Sequence, residues 1–380
     1  MRANGKVFDV IVVGVGGMGS AACWQLARRG QRVLGLERFD IPNALGSSFG
    51  LTRIIRLAYH EGPQYVPLVR RAMALWREAG EIADEPLLFT TGSLDAGPEG
   101  GGFFADSRAA CLAHDIRHEI LTAAEINRRF PAFRLPADHR GLFQPDGGFV
   151  ASERAIVTHV RLAQAAGAEI HARERVREWM PIAGGGVRVT TDRGTYEAGR
   201  LILSAGAWIG ELAPGLAHLA VPERQVLGWF QPAAVEKFLP GAFPVTILVV
   251  PEGPYYLLPI WGGPGVKIGL HHHRGERGPA DTLSRDIDAA DEALLRQCLA
   301  RYLPEANGPA MALRACLYTV TPDEHFIIDR LPGHDDVIVA SPCSGHGFKF
   351  AAVIGEILAD LVTRGESAFD LSMFSLARFA

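Results

Sequence analysis

Lys267 lies in the apolar run "VKIGLH" (Val266 to His271), where an ammonium group is expensive to bury without a purpose. Snorkelling of the amine to the surface is the alternative. His271 follows four residues on, so in a strand of period two both side chains face one side and can line one cavity. Cys316 lies in "LRACLYTVTPDEHFIID" (Leu313 to Asp329), two residues before Tyr318. A thiolate is the strong soft nucleophile among ordinary side chains; an inert buried thiol is the competing reading, and Cys343, beside "SGHG", is its rival for reactivity. Arg56, in "TRIIR" (Thr52 to Arg56), carries a planar fork matched to a carboxylate, and Lys349, in "SGHGFKF" (Ser344 to Phe350), adds a point charge. Read blandly, the same stretch is a solvated strand edge with Ile54 and Ile55 turned inward. His271, His272 and His273 alternate faces if they continue the strand, and no nearby carboxylate completes a ligand set, so no metal site is expected.

These groups need elements to position them. "FDVIVVGVGGMGSAACWQLARRGQRVLGLERFD" reads as a strand (Phe8 to Val13), a glycine turn, a helix (Met18 to Arg29), a stop at Gly30 and a second strand (Val33 to Glu37). Gly14, Gly16 and Gly19 form G-x-G-x-x-G, which lets backbone approach a pyrophosphate at the helix N-terminus, and Glu37 stands where a carboxylate accepts from a ribose hydroxyl. The fingerprint alone does not separate NAD from FAD, and a purely structural glycine turn is the other reading. Ser204, Ala205 and Gly206 end a buried strand within "GTYEAGRLILSAGAW", with backbone open to a ligand. From Thr246 to His271, strand-like runs broken by Gly and Pro predict an antiparallel sheet. Val337 to Val362 repeats strand, glycine loop and helix, the helix beginning near His346 to Lys349. An amphipathic helix is expected over Gln64 to Glu81, and loops or turns near Gly97 and Gly184.

At 380 residues and 48% apolar, the chain exceeds the usual single-core length, so two domains are expected. A formal charge of -4 gives no basic field for nucleic acid or anionic lipid. Five cysteines without a C-x-x-C pair argue against a disulfide framework or zinc site and suit a reducing cytoplasm. The run from Val10 to Gln25 superficially resembles an export signal, but its glycines and Asp9 argue against one, and no membrane segment is expected. No nucleophile elbow or H-E-x-x-H string supports a hydrolase.

The order of segments, with "TRIIR", "KIGLH", "CLYT", "DEHFIID" and "SGHGFKF", resembles the monomeric sarcosine oxidase and N-methyltryptophan oxidase family of FAD-dependent amine oxidases over nearly the whole chain. The resemblance implies an α/β plus α+β fold: a discontinuous Rossmann-like FAD-binding domain (1–85, 146–222 and 319–380) with an inserted substrate domain on a mostly antiparallel sheet (86–145 and 223–318). It implies FAD joined through Cys316 to its 8α-methyl carbon, and a carboxylate clamp of Arg56 and Lys349. Arg53 would lie near the flavin ring, and Lys267 over it, promoting oxygen reduction. Tyr256 and Tyr318 would stand near the substrate, with ordinary core packing as the alternative for each. His271, His346 and the flanking Gly345 and Gly347 would approach flavin and substrate. The expected partners are a small amine and O2, and the expected state is a monomer. Sarcosine is the expected substrate; N-methyltryptophan, proline or pipecolate oxidation, a carrier-linked dehydrogenase and a non-catalytic nucleotide binder are the alternatives. Where that family carries "GSHHGDTR", this chain reads "GSSFGLTR" (Gly46 to Arg53), so Ser48, Phe49 and Leu51 replace two histidines and an aspartate beside the clamp.

Overall fold

In the computed structural model, residues 7–100, 102–263 and 265–380 are described. The strand Val7–Val13 is fully buried at Val10, Ile11 and Val12, the continuous apolar run expected of a central parallel strand. It pairs in parallel with Val33–Leu36 on one side and Thr195–Leu203 on the other. Glu169–His171 extends the sheet beyond Val33–Leu36, and His334–Ser341 pairs in parallel with Thr195–Leu203. Antiparallel strands Val187–Thr191, Val176–Pro181 and Ile327–Leu331 complete eight. Because Val13 stands opposite both Leu36 and Leu203, three strand ends finish level, and Gly14, Glu37 and Ser204 emerge together. That carboxyl edge is where open α/β sheets hold ligands. The helices Gly17–Ala27, Tyr65–Ala83, Ser152–Ala165 and Ala351–Thr363 pack against one another, sharing one apolar core with the sheet.

A second eight-stranded sheet runs Ala310–Val320, Val221–Phe230, Val266–Leu270, Gly253–Leu258, Val245–Val250, Ser93–Pro98, His139–Gln144, Glu119–Thr122. Its pairs are antiparallel except Val245–Val250 with Ser93–Pro98, so the sheet expected over Thr246 to His271 is present. The register decides which residues share a face. Gln225 opposes Cys316, Leu227 opposes Gly269, Gly269 opposes Tyr256, and Lys267 stands between Trp229 and Leu258. With a period of two, Cys316, Tyr318, Lys267, Gly269, Leu227 and Tyr256 all point to one side. The other side, carrying Val226, Ile268, Tyr255 and Leu257, closes an apolar core with the helix Ala289–Tyr302. A three-stranded sheet of Thr52–Ile55, Gly148–Ala151 and Leu88–Thr90 brings "TRIIR" to the junction.

Some local expectations differ. Gly97 lies in the strand Ser93–Pro98, and Gly102–Ala113 is a helix, because the glycine-rich string leads directly into a long apolar-faced segment. Thr195–Leu203 is one strand serving both hairpin and buried sheet. The last helix starts at Ala351, after a single 3-10 turn over Phe348–Phe350, so His346 and Lys349 precede it. Domain limits at 222 and 318 fall inside the strands Val221–Phe230 and Ala310–Val320 of the second sheet. No helix among the described residues is long and apolar enough to cross a membrane.

Candidate active site

The level strand ends shape one end of the site. Gly14 has φ +90°, and a Cβ there would lie 2.5 Å from the Ser204 carbonyl oxygen. A Cβ on Gly19 would lie 1.8 Å from the Gly14 carbonyl oxygen, so helix and turn touch only because Gly19 has no side chain. At Gly16, by contrast, a Cβ would meet nothing closer than Ser48 Oγ at 3.8 Å, which leaves the turn open toward the cavity. Glu37 is buried, and its carboxylate accepts from the Val15 N–H at 2.9 Å and the Phe39 N–H at 3.0 Å. Burial raises its pKa, against the pull of those N–H groups. Gly206 opens the 3-10 turn Gly206–Trp208 on the same wall.

From this cradle a cavity of about 530 Å³ extends between the two sheets. Gly14, Gly16, Glu37, Arg53, Arg56, Gly206, Tyr256, Lys267, His271, Cys316, Tyr318, Gly345, His346, Gly347 and Lys349 all line it, so one space unites nearly every residue singled out from sequence. Gly19 lies behind the wall.

Lys267 is buried, and its ammonium donates to the carbonyls of Gly50 at 2.8 Å and Thr52 at 2.6 Å, which excludes the snorkelling alternative. Burial pushes its pKa well below the ordinary lysine value; Arg53 pushes the same way, while Glu153 and Cys316 oppose. Arg53 is held by the carbonyls of Thr52 at 2.9 Å, Ser47 at 2.7 Å and Phe49. The loop bearing these carbonyls is itself pinned by Glu153, whose carboxylate accepts from the Gly50 N–H at 2.7 Å and the Leu51 N–H at 2.9 Å. Leu51 takes φ +70°, a conformation an apolar side chain rarely adopts, and Glu153 holds it there. Cys316 is buried, and burial raises its pKa against the opposing charges of Arg53, Lys267, Arg285 and Arg224. Burial raises the pKa of both Tyr256 and Tyr318, and a Cβ on Gly269 would come within 2.1 Å of the Tyr256 hydroxyl oxygen. That glycine therefore makes room for a polar group facing the cavity.

Arg56 is 2% exposed and does not present the open fork expected of it. Its guanidinium lies between Asp95 at 3.3 Å and Glu61 at 3.2 Å, with His60 Nδ1 at 2.6 Å and the Ala58 carbonyl as further partners. Burial lowers its pKa but Asp95 and Glu61 more than offset this, so it remains charged. Glu61 is held well below the usual carboxylate range despite its burial, by Arg56 above all. Burial pushes Asp95 up to about 6, with Arg56 pulling it back. Lys349 donates to the Tyr59 hydroxyl at 3.1 Å and the His346 carbonyl at 2.8 Å, and burial brings it down to about 7. His346 Nε2 meets the Glu324 carbonyl at 3.0 Å, and because a carbonyl only accepts, that nitrogen carries the proton and Nδ1 accepts from Tyr59 at 2.7 Å. Burial pushes His346 down to about 4, in keeping with a neutral ring. Asp95, Glu61, Tyr59 and Glu153 carried no motif that marked them in advance.

The triple histidine also differs from expectation. The strand ends at Leu270, and His272 and His273 have φ +61° and +32°, so the three residues form a turn and do not alternate faces. A carboxylate does approach, since Glu324 stands 3.2 Å from His272 Nε2.

A nucleotide cradle at one end of a cavity and buried cations at the other is the layout of a cofactor-dependent oxidoreductase. Residues 9–361 match the family DAO, FAD dependent oxidoreductase, and the chain belongs to that family. It is similar to monomeric sarcosine oxidase of Bacillus sp. (strain B-0618), at 40% identity over 98% of this chain and 96% of that one. It is also similar to N-methyl-L-tryptophan oxidase of Salmonella arizonae, at 38% identity over 98% of this chain and 99% of the other. The solved open form of NikD, an unusual amino acid oxidase essential for nikkomycin biosynthesis, has a TM-score of 0.85 at 30% identity, covering 97% of both chains. The protein is thus a flavin oxidoreductase acting on amino-acid CH–NH groups. The glycine turn and Glu37 fit the nucleotide of FAD, and Ser47 Oγ, buried on the cavity wall without a partner, fits a heteroatom of the same group.

Proposed function

We propose that the enzyme oxidises sarcosine or a similar N-methyl amino acid, with O2 and water, to the demethylated amino acid, formaldehyde and hydrogen peroxide. The observation that carries this reading is the presence, in one cavity, of the buried basic side chains Arg56 and Lys349 together with a further buried lysine, Lys267. FAD, when bound, supplies the two-electron acceptor. Gly14, Gly16, Gly19, Glu37 and Gly206 would hold its nucleotide portion, and Cys316 would anchor it through sulfur. Arg56 and Lys349 bind the substrate carboxylate, which takes the place of Glu61 on the guanidinium. Glu61, 19% exposed, can swing away toward solvent, whereas Asp95, 2% exposed, stays behind Arg56 and keeps it oriented. Tyr256 and Tyr318 bound the space for the amine, and His271 meets the Tyr318 hydroxyl at 3.3 Å. Lys267 supplies positive charge for oxygen reduction, the role for which a preorganised cation is best suited. Free cysteines throughout, at all five positions, support a reducing cytoplasmic setting, and likeness to monomeric relatives supports a monomer.

An N-methyltryptophan substrate is the second reading. His60 and Phe103 lie on the cavity wall with ring centroids 4.3 Å apart and planes tilted at 51°, and they present an aromatic surface that sarcosine does not use. Peroxide release over a panel of sarcosine, N-methyltryptophan, proline and pipecolate decides between them; a preference for a primary amine would remove both.

A further inference from the structure

We propose that His271, His272 and Glu324 form a binding site for a divalent transition ion of the Zn2+ type in the wall of the oxidase cavity, and that its occupation inhibits the enzyme. One atom from each of the three side chains lies within 4.8 Å of the others, and all three residues line the cavity. His272 Nε2 and the Glu324 carboxylate are 3.2 Å apart. That separation is close to the edge, about 3.4 Å, of a tetrahedron with zinc–nitrogen and zinc–oxygen bonds of roughly 2.1 Å. Glu324, 55% exposed, is free to move the remaining distance, while its backbone is held by His346.

The imidazoles are supported from behind. His272 Nδ1 bonds Glu223 at 2.7 Å, which directs Nε2 toward the shared space. Glu223 is fully buried and tied in turn to Arg277 at 2.6 Å and Gln225 at 2.8 Å. His271 Nδ1 meets Tyr318 at 3.3 Å. A carboxylate behind a ligating imidazole fixes its orientation and raises its basicity, the usual outer support of a metal site. Two imidazoles and one carboxylate suit Zn2+ over Mg2+ or Ca2+, which favour oxygen alone, and leave a coordination position for water or a substrate carboxylate. An ion there would immobilise His271 and compete with Arg56 and Lys349 for the substrate carboxylate.

The test is calorimetric titration of chelator-treated holoenzyme with ZnCl2, alongside peroxide release from whichever amine the enzyme oxidises. The expected result is one Zn2+ per chain, inhibition over the same concentration range, reversal by chelator and no response to MgCl2. Glu324→Gln and His272→Gln, on separate segments, should abolish stoichiometric uptake while flavin absorbance persists. Glu223→Gln should weaken binding about 10–100-fold through loss of orientation. A wild type that takes up no stoichiometric Zn2+, or ligand variants that bind as tightly as wild type, would overturn the proposal. Binding is read without substrate, so its outcome is separate from the identity of the amine.

Discussion

Lys267 and Arg56 are both buried basic side chains, but their surroundings differ. Lys267 has only neutral acceptors within hydrogen-bond reach, whereas Arg56 is flanked by two carboxylates. Lys267→Met should therefore be tolerated by the fold and slow flavin reoxidation by oxygen by about two orders of magnitude, with anaerobic reduction nearly intact in stopped flow. Equal loss of both half-reactions would refute the oxygen role. Arg56→Ala leaves Asp95 buried without its cation, and breaking such a pair costs about 3–5 kcal/mol, whereas Glu61 can turn toward solvent. Chemical denaturation should show that loss, and an unchanged affinity for sarcosine would remove Arg56 from the clamp. Lys349, at about 7, gives a pH prediction. Its folded value lies below that of an unfolded lysine, so the penalty for burying its charge is fully present below about pH 7 and fades as the pH rises toward the ordinary value. Carboxylate binding follows the opposite course, strong while the amine is charged and weaker above about pH 7. Lys349→Met should flatten that step in the pH profile of sarcosine binding.

At the scale of elements, register does the assembling. A one-residue slip of Val266–Leu270 would send Lys267 into the apolar core that Ile268 and Val266 now occupy. The glycine turn is equally unforgiving. Gly19→Ala would place a methyl group 1.8 Å from the Gly14 carbonyl oxygen, so purified protein should carry little flavin, read as the ratio of visible to ultraviolet absorbance. Retention of a full flavin complement would show that the turn relaxes. Legibility in the sequence follows the same divide. The first strand, turn and helix were readable because their signals are local: periodic apolar residues, glycines at fixed offsets and Glu37 at the next strand end. Asp95 was not readable, since one carboxylate in the strand Ser93–Pro98 looks like an ordinary polar position until the helix Gly102–Ala113 covers it with Ser107. Glu153 and Glu324 reach the site from distant segments, and no spacing rule connects them to Lys267 or His272. The histidine turn misled because a strand pattern continues into it, while the backbone turns at His272.

For the whole molecule, one cavity collects residues from the first strand to the last glycine loop, so the proposed cofactor site, carboxylate clamp and oxygen-side lysine would need both sheets together. Anchoring by Cys316 would make the cofactor part of the chain. Acid-precipitated protein should then stay yellow, and Cys316→Ser should release its colour on precipitation while the native variant still binds FAD. The most direct measurement is anaerobic mixing of the purified enzyme with sarcosine, followed by admission of oxygen. Bleaching of the visible flavin absorption, its full return on aeration and one peroxide formed per substrate consumed are the predicted result. A flavin that stays oxidised in the presence of sarcosine and every related secondary amino acid would contradict the account.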